Sequence, residues 1–196
     1  MSGAFPITAG FQTLDFQSNS PTRVTVSVSG KSQRVKVGGQ FWSFKLKSPA
    51  MTRAQMMSDF AFIVQQDGQA EAFTIVPPEI SSTRGTASGT ITINATYAAG
   101  QSVVKGNGAS GTLKKGDLIK FSNHDKVYMI TADVDMDASS EDTFNIYPPL
   151  TTAVSSSTTV TYNSVPIKVY FDKDEQKYIT QADGTFQYEI VMTEEI

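Results

Sequence analysis

The stretch QFWSFKLKSPAMTRAQMMSDFAFIVQQDGQAEAFTIVPP, residues 40–78, decides how the chain folds. Trp42, Phe44 and Leu46 alternate with Ser43, Lys45 and Lys47, the period of a half-buried strand. After Pro49 the period changes. Thr52 followed by Gln55 has the spacing of a capping box, in which each side chain satisfies the other residue's exposed backbone N–H, so a helix is predicted to start there. Met56, Met57, Phe60, Ala61, Ile63 and Val64 make its predicted apolar side, and Gln55, Ser58, Asp59, Gln65 and Gln66 its polar side. Gly68 is the expected left-handed residue that ends it. Residues 70–76 turn extended again, and Pro77 and Pro78, which lack ladder donors, stop that strand. The unit is strand, helix, strand, with the Met and Phe stripe as its packing face.

The bulk numbers narrow the class. A chain of 196 residues supports one large domain or two small ones. With no cysteine, neither a disulfide framework nor thiolate chemistry is available. The start lacks a basic segment followed by an apolar run, and no stretch approaches the roughly 18 apolar residues of a membrane span, so no membrane insertion is expected. The expectation is a product made in the host cytoplasm, and assembly into a particle leaves the same trace. A net charge of −3 argues against nucleic acid as the main ligand. Residues 1–78 hold seven Lys/Arg against four Asp/Glu, residues 79–165 six against eight, and residues 166–196 three against seven. Such asymmetry steers copies head to tail, although ordinary solvated faces also produce it.

Elsewhere the pattern is extended. Phe5, Phe11, Leu14 and Phe16 lie in a turn-rich arm at residues 1–22 and need a pocket, from this molecule or a neighbour. Val24, Val26 and Val28 mark a strand at 23–29, Gly30-Lys31 a turn, and residues 34–37 a return strand with Arg34 and Lys36 on its outer face. Residues 80–112 are rich in Ser, Thr, Gly and Ala, with short β-prone pieces at 90–93 and 102–105. Firmer strands follow at 118–122, 126–132, 143–147 and 158–162, separated by the Asn123-His124-Asp125 bend and an acidic bend at 133–142. Strands at 166–171, 176–180 and 186–192 end the chain, joined by turns at 172–175 and 182–184, with Phe186, Tyr188, Ile190 and Met192 on one face. The predicted fold is mainly β: a barrel or sandwich domain formed by 1–78 plus 166–196 with one packed α-helix, interrupted by a small β domain at 79–165.

Catalytic chemistry finds little support. His124 and Asp125 are adjacent in a hairpin bend and point apart, so they form no acid–base pair. Gly106, Gly108 and Gly111 match G-x-G-x-x-G, but no helix follows to hold a phosphate. Asp133, Asp135 and Asp137 have the opening spacing of a calcium loop, yet Ala138 stands where its glycine belongs and Phe144 where its bidentate acid belongs, leaving only a weak cation site open. Asn94-Ala95-Thr96 fits a glycosylation acceptor, which has meaning only in a secreted protein. The expectation is no enzyme, no cofactor and no dedicated metal site.

The Gly38-Gly39 turn, the Trp42-Ser43-Phe44 alternation, Pro49-x-Met51-Thr52-Arg53 opening the helix, Gly68-Gln69 closing it and Phe73–Pro78 ending the next strand together resemble the distal tail proteins of long-tailed bacteriophages, including the short lambda-type minor tail protein M. The resemblance implies a "belt" domain that closes into a hexameric ring at the tail tip of the virion, between the tail tube protein and the hub or fibre proteins. The segment 115–121, then 126–133 and 146–149, is similar to β modules that phage particle proteins carry as insertions. The insert departs from the shortest members, and from larger ones whose second, galectin-like domain is C-terminal. On this reading Arg34, Lys36, Lys45 and Lys47 of one copy meet Glu189, Glu194 or Glu195 of the next. The alternative is a carbohydrate- or receptor-binding module whose insert presents Tyr97, His124 and Tyr128.

Overall fold

The computed structural model describes residues 3–196. In chain order its elements are β1 (Thr13–Asn19), β2 (Thr22–Val26), β3 (Ser32–Lys36), β4 (Phe41–Lys47), α1 (Arg53–Gln65), β5 (Phe73–Ile75), β6 (Ser88–Ile93), β7 (Val103–Leu113), β8 (Leu118–Phe121), β9 (Val127–Ile130), β10 (Val134–Met136), β11 (Asp142–Tyr147), β12 (Thr159–Thr161), β13 (Ile167–Phe171), β14 (Tyr178–Thr180) and β15 (Phe186–Glu194). The fold is mainly β with one helix. The chain divides into two compact units, one holding the segment up to Phe73 together with Val169–Glu195, the other Thr74–Lys168.

In the first unit the sheet order is β1-β4-β15-β13-β5, with β14 pairing the other end of β15. Strand β4 is central, and its alternation is the one the sequence predicts: Trp42, Phe44 and Leu46 are buried and Lys45 is exposed. Phe44 lies opposite Phe16 on one side and Met192 on the other. Phe16 stacks on Trp42 with ring centres 4.6 Å apart. The arm finds its pocket within this unit, because Phe5 is packed by Phe62, Phe73 and Tyr188.

Helix α1 starts at the predicted capping box, with both reciprocal bonds between Thr52 and Gln55 formed. Its buried line differs from the predicted one. Met56, Asp59 and Ile63 are buried and so is Gln66 just beyond, whereas Met57, Ala61 and Val64 face outward. Positions 56, 59, 63 and 66 follow the 3.6-residue period, so the neighbouring apolar residues fall a third of a turn away. Asp59 and Gln66, expected on the wet side, are inside. Asp59 is tolerated there because its oxygens accept from Thr8 Oγ1 at 2.5 Å and Tyr188 Oη at 3.0 Å. The helix ends one residue earlier than expected: Asp67 takes the first left-handed conformation (φ 50°) and Gly68 the second (φ 65°). A β-carbon on Gly68 would lie 2.8 Å from Asp174 Cα, so close approach as well as backbone freedom calls for glycine there.

The second unit is a closed barrel. Its strands follow β7-β11-β9-β8-β12-β6 and return to β7, with β10 pairing the C-terminal end of β7. Ile91, Val104, Phe121, Tyr128, Ile130, Phe144 and Ile146 belong to the core that fills it. Strand β7 runs straight through the glycine motif, well past the short piece expected at 102–105. Gly106 and Gly111 permit a tight pairing, since a β-carbon there would stand 2.8 Å from Thr92 O and 2.3 Å from Thr86 O respectively. Strand β10 appears where only an acidic bend is expected, because Val134 and Met136 turn into the core between exposed aspartates. Asp117, 2% exposed, ties the 83–84 segment to the turn before β8. It accepts from Thr83 Oγ1 (2.5 Å), Lys114 N–H (2.9 Å), Arg84 N–H (3.2 Å) and Arg84 Nε (3.3 Å).

Candidate assembly surfaces

Strands β2 and β3 form a two-stranded ribbon whose ten residues are all exposed. In an antiparallel pair, residues directly opposite share a face. Val24 lies opposite Arg34 and Val26 opposite Ser32, while Val35 lies opposite Arg23 on the reverse face. Each face therefore offers valine beside a cation. Val24, Val26, Val35 and Val37 are between 55% and 65% exposed. The valine alternation that ordinarily marks a core face is left uncovered among the described residues. A two-stranded ribbon with both faces wet is marginal alone, and its apolar area is the kind a partner covers.

The residues singled out as a charged interface are dispersed. Arg34 and Lys36 are exposed on β3. Lys45 pairs with Glu189 of its own chain at 3.0 Å, and Lys47 lies opposite Glu189 in register. With both partners about half exposed, the Lys45–Glu189 pair contributes on the order of 0–1 kcal/mol. Glu194 does not face outward: it is 2% exposed and accepts from the Trp42 backbone N–H at 3.1 Å. Glu195 is half-buried.

On the insert the three expected surface residues part company. Tyr128, read from the sequence as displayed, is fully buried, its ring being part of the barrel core. Its hydroxyl meets His124 Nε2 at 2.8 Å, Thr151 Oγ1 at 3.0 Å and the Thr151 N–H at 3.1 Å. Asn123 donates its amide to Ala153 O, which turns Oδ1 toward His124 Nδ1 at 2.8 Å. His124 Nδ1 therefore carries the proton, and Nε2 accepts from Tyr128. His124 stacks on Phe121, and burial pushes its pKa below the usual histidine value against the pull of Asp125. The hydrogen bond from Lys120, reinforced by Lys168, holds the Asp125 carboxyl low. Tyr97 is half-buried, packs on the barrel core and exchanges backbone bonds with Val154.

The three aspartates of the acidic bend do not converge. Asp133 accepts from Lys115 N–H and Lys114 Nζ, Asp135 lies opposite Thr112 on β10, and Asp137 caps its own turn through Ser139. Among the described residues no group of three or more His, Asp or Glu side chains is placed to hold a metal ion. No helix among them is long and apolar enough to cross a membrane.

Two buried carboxylates, Asp59 and Asp117, escaped the sequence reading as organising residues. For Asp59 the signal was present: it stands three residues after Met56 and four before Ile63, on the line those two define.

Comparison with known proteins bears on both units. The family model described as "Distal tail protein pb9, B domain" matches residues 79–165. The curated distal tail protein pb9 of Escherichia phage T5 is 27% identical over 165 residues, covering 80% of this chain and 76% of that protein. With one match on the insert and the other across most of the chain, the comparisons agree with the resemblance seen in residues 40–78: this chain is similar to a distal tail protein of a long-tailed bacteriophage.

Proposed function

We propose that the chain is a structural component of a phage tail tip, a distal tail protein that closes into a hexameric ring between the tail tube and the hub or fibre proteins. The similarity to a distal tail protein supports the tail role. The observation that carries self-association is the β2–β3 ribbon, exposed on both faces and lined with valine. The first unit has its helix, arm and main sheet packed among themselves, and this ribbon is a separate two-stranded sheet outside that core. Ring closure is a heterologous contact in which one surface of each copy meets a different surface of the next, and it closes because the rotation does. Strands supply the contact area and charged residues its register.

The test is native mass measurement and rotational averaging of electron-microscope images of the purified chain, alone and with its tube protein. The expected result is a closed ring. It should be lost on replacing residues 22–36 with a short Gly-Ser turn, with the helix and barrel unfolding as before. A wild-type chain that stays monomeric at every concentration, with and without the tube protein, refutes the proposal.

A further inference from the structure

Helix α1 is apolar on two sides. The inner line, Met56 and Ile63, is covered by the sheet of its own unit. The outer side carries Met57 (36% exposed), Ala61 and Val64 (55%), and Phe60 joins it to Tyr178 of β14, whose ring meets Phe60 edge-on at 5.0 Å. A helix that carries a second apolar stripe beside its buried one, between polar residues such as Ser58 and Gln65, offers that stripe to a partner. Among the described residues nothing covers it: these side chains are exposed while the valines of the β2–β3 ribbon are exposed too, so the ribbon does not fold back over its own helix.

Charge selects the occupant. No Asp or Glu occurs between Asp15 and Asp59, and the ribbon with its turn carries Arg23, Lys31, Arg34 and Lys36. Beside Val64, the carbonyl end of α1 has no basic residue in its last turn, and exposed Asp67, Glu71 and Asp174 surround it. Asp174 is fixed there by accepting from the Gln69 N–H at 3.3 Å. The helix dipole adds partial negative charge at the same place. Lys173 and Lys177 of the adjoining loop are outnumbered by Asp172, Asp174 and Glu175. Two ribbons meeting valine to valine would instead bring four cations of each copy together, which like-charge repulsion disfavours.

We infer that the outer face of α1, with its acidic C-terminal rim, is the seat for the β2–β3 ribbon of a second copy of this chain, so that each copy donates a ribbon and receives one. This rests on the ring reading and specifies which two surfaces meet. The valines lie over Met57, Ala61 and Val64, and the ribbon cations reach the carboxylates at the helix end.

The absence of native cysteine makes the contact directly testable. Single cysteines are placed at 24, 26, 35 or 37 in one set of chains and at 57, 61 or 64 in another, then mixed pairwise with a short bis-maleimide. The expected product is a cross-linked dimer that needs one chain from each set. The substitutions Met57→Lys and Val64→Lys, both at exposed positions and neither adding negative charge to the acidic helix end, should repel the ribbon cations and weaken self-association by about tenfold or more without lowering the unfolding midpoint. Rings that persist in these two variants, with no cross-link from any pairing, overturn the inference and leave the ring intact as a reading. Cross-links within the ribbon set alone overturn it in favour of ribbon-to-ribbon contact. A wild-type chain that never leaves the monomer removes both readings together.

Discussion

Replacing Asp59 with alanine removes two acceptors at once from the interior of the first unit. The carboxylate has no exposed surface, and it holds Thr8 Oγ1 at 2.5 Å and Tyr188 Oη at 3.0 Å. A hydroxyl left buried without a partner costs roughly 1–3 kcal/mol, toward the upper end for Tyr188, which is 2% exposed, whereas exposed Thr8 can turn its hydroxyl to water at little cost. Asp59→Ala should therefore cost about 2–3.5 kcal/mol, nearly all of it from the stranded Tyr188 hydroxyl, and Tyr188→Phe, which removes one bond, about 1.5–3 kcal/mol. Since both changes touch the same carboxylate, their costs should fall short of additivity by about 1 kcal/mol or more. A third variant, Thr8→Val with Asp59→Leu and Tyr188→Phe, leaves no polar group stranded and should recover most of the loss. Urea unfolding followed by fluorescence of Trp42 reads this unit specifically, because Trp42 is the single tryptophan and is 2% exposed on β4. If the two single costs add within about 0.5 kcal/mol, or the apolar triple variant is the least stable, the carboxylate is not the common anchor and the reasoning fails.

The same triad predicts an alkaline limb. Burial, and then the neighbouring Asp59, push the Tyr188 phenol far above its ordinary value of 10.0. The unfolded phenol ionises first, so the stability this group provides is complete below pH 10 and is lost as pH rises beyond it; Tyr188→Phe should flatten that limb in urea titrations. In the barrel His124 runs the other way. Its folded value lies below 6.5, so the unfolded chain takes up the proton first, and stability should decline as pH falls below 6.5; thermal melts of His124→Phe from pH 7.5 to 5 should show a shallower slope. Thr52→Ala deletes half of the capping box and should cost about 1 kcal/mol by Trp42 fluorescence. Asp117→Ala removes the acceptor for Thr83, Lys114 and Arg84, and should cost about 2–4 kcal/mol, seen as faster amide hydrogen exchange in β7 and β8.

Most of the architecture was readable because its signals are local. The alternation of Trp42, Phe44 and Leu46, the Thr52–Gln55 box and the paired prolines each act within a few residues, and each marks an element that is present. The reading failed where a residue's environment is set from afar. Asp59 was placed outside by its polarity, and only Thr8 and Tyr188, 51 and 129 residues away, make its burial tolerable. Tyr128 was placed on the surface as an aromatic near a bend, yet its hydroxyl finds Thr151 across the barrel mouth and the ring goes inside. The β-prone piece at 102–105 stops ahead of the glycines, which usually mark turns, whereas in β7 the neighbouring backbone at Thr86 and Thr92 leaves no room for a β-carbon.

The valine ribbon is the instructive case. Alternating valine and polar residues require a covered face, and that inference is sound for Val24 and Val26 as it is for Phe44 and Leu46. Periodicity says that a face is to be buried and is silent about which molecule buries it. In β4 the cover comes from strands of the same chain; in β2 and β3 it does not, and both faces remain wet. On the proposed ring reading, the first unit folds around one apolar core and keeps a second apolar surface outside it for association. The outward line of α1 follows the same division. Substitutions inside the first set should move the unfolding midpoint, and those inside the second should move the association constant and leave the midpoint in place. A protein in which Val26→Asp lowered stability as much as Leu46→Asp would have no such division, and the ribbon would belong to the fold instead of the ring.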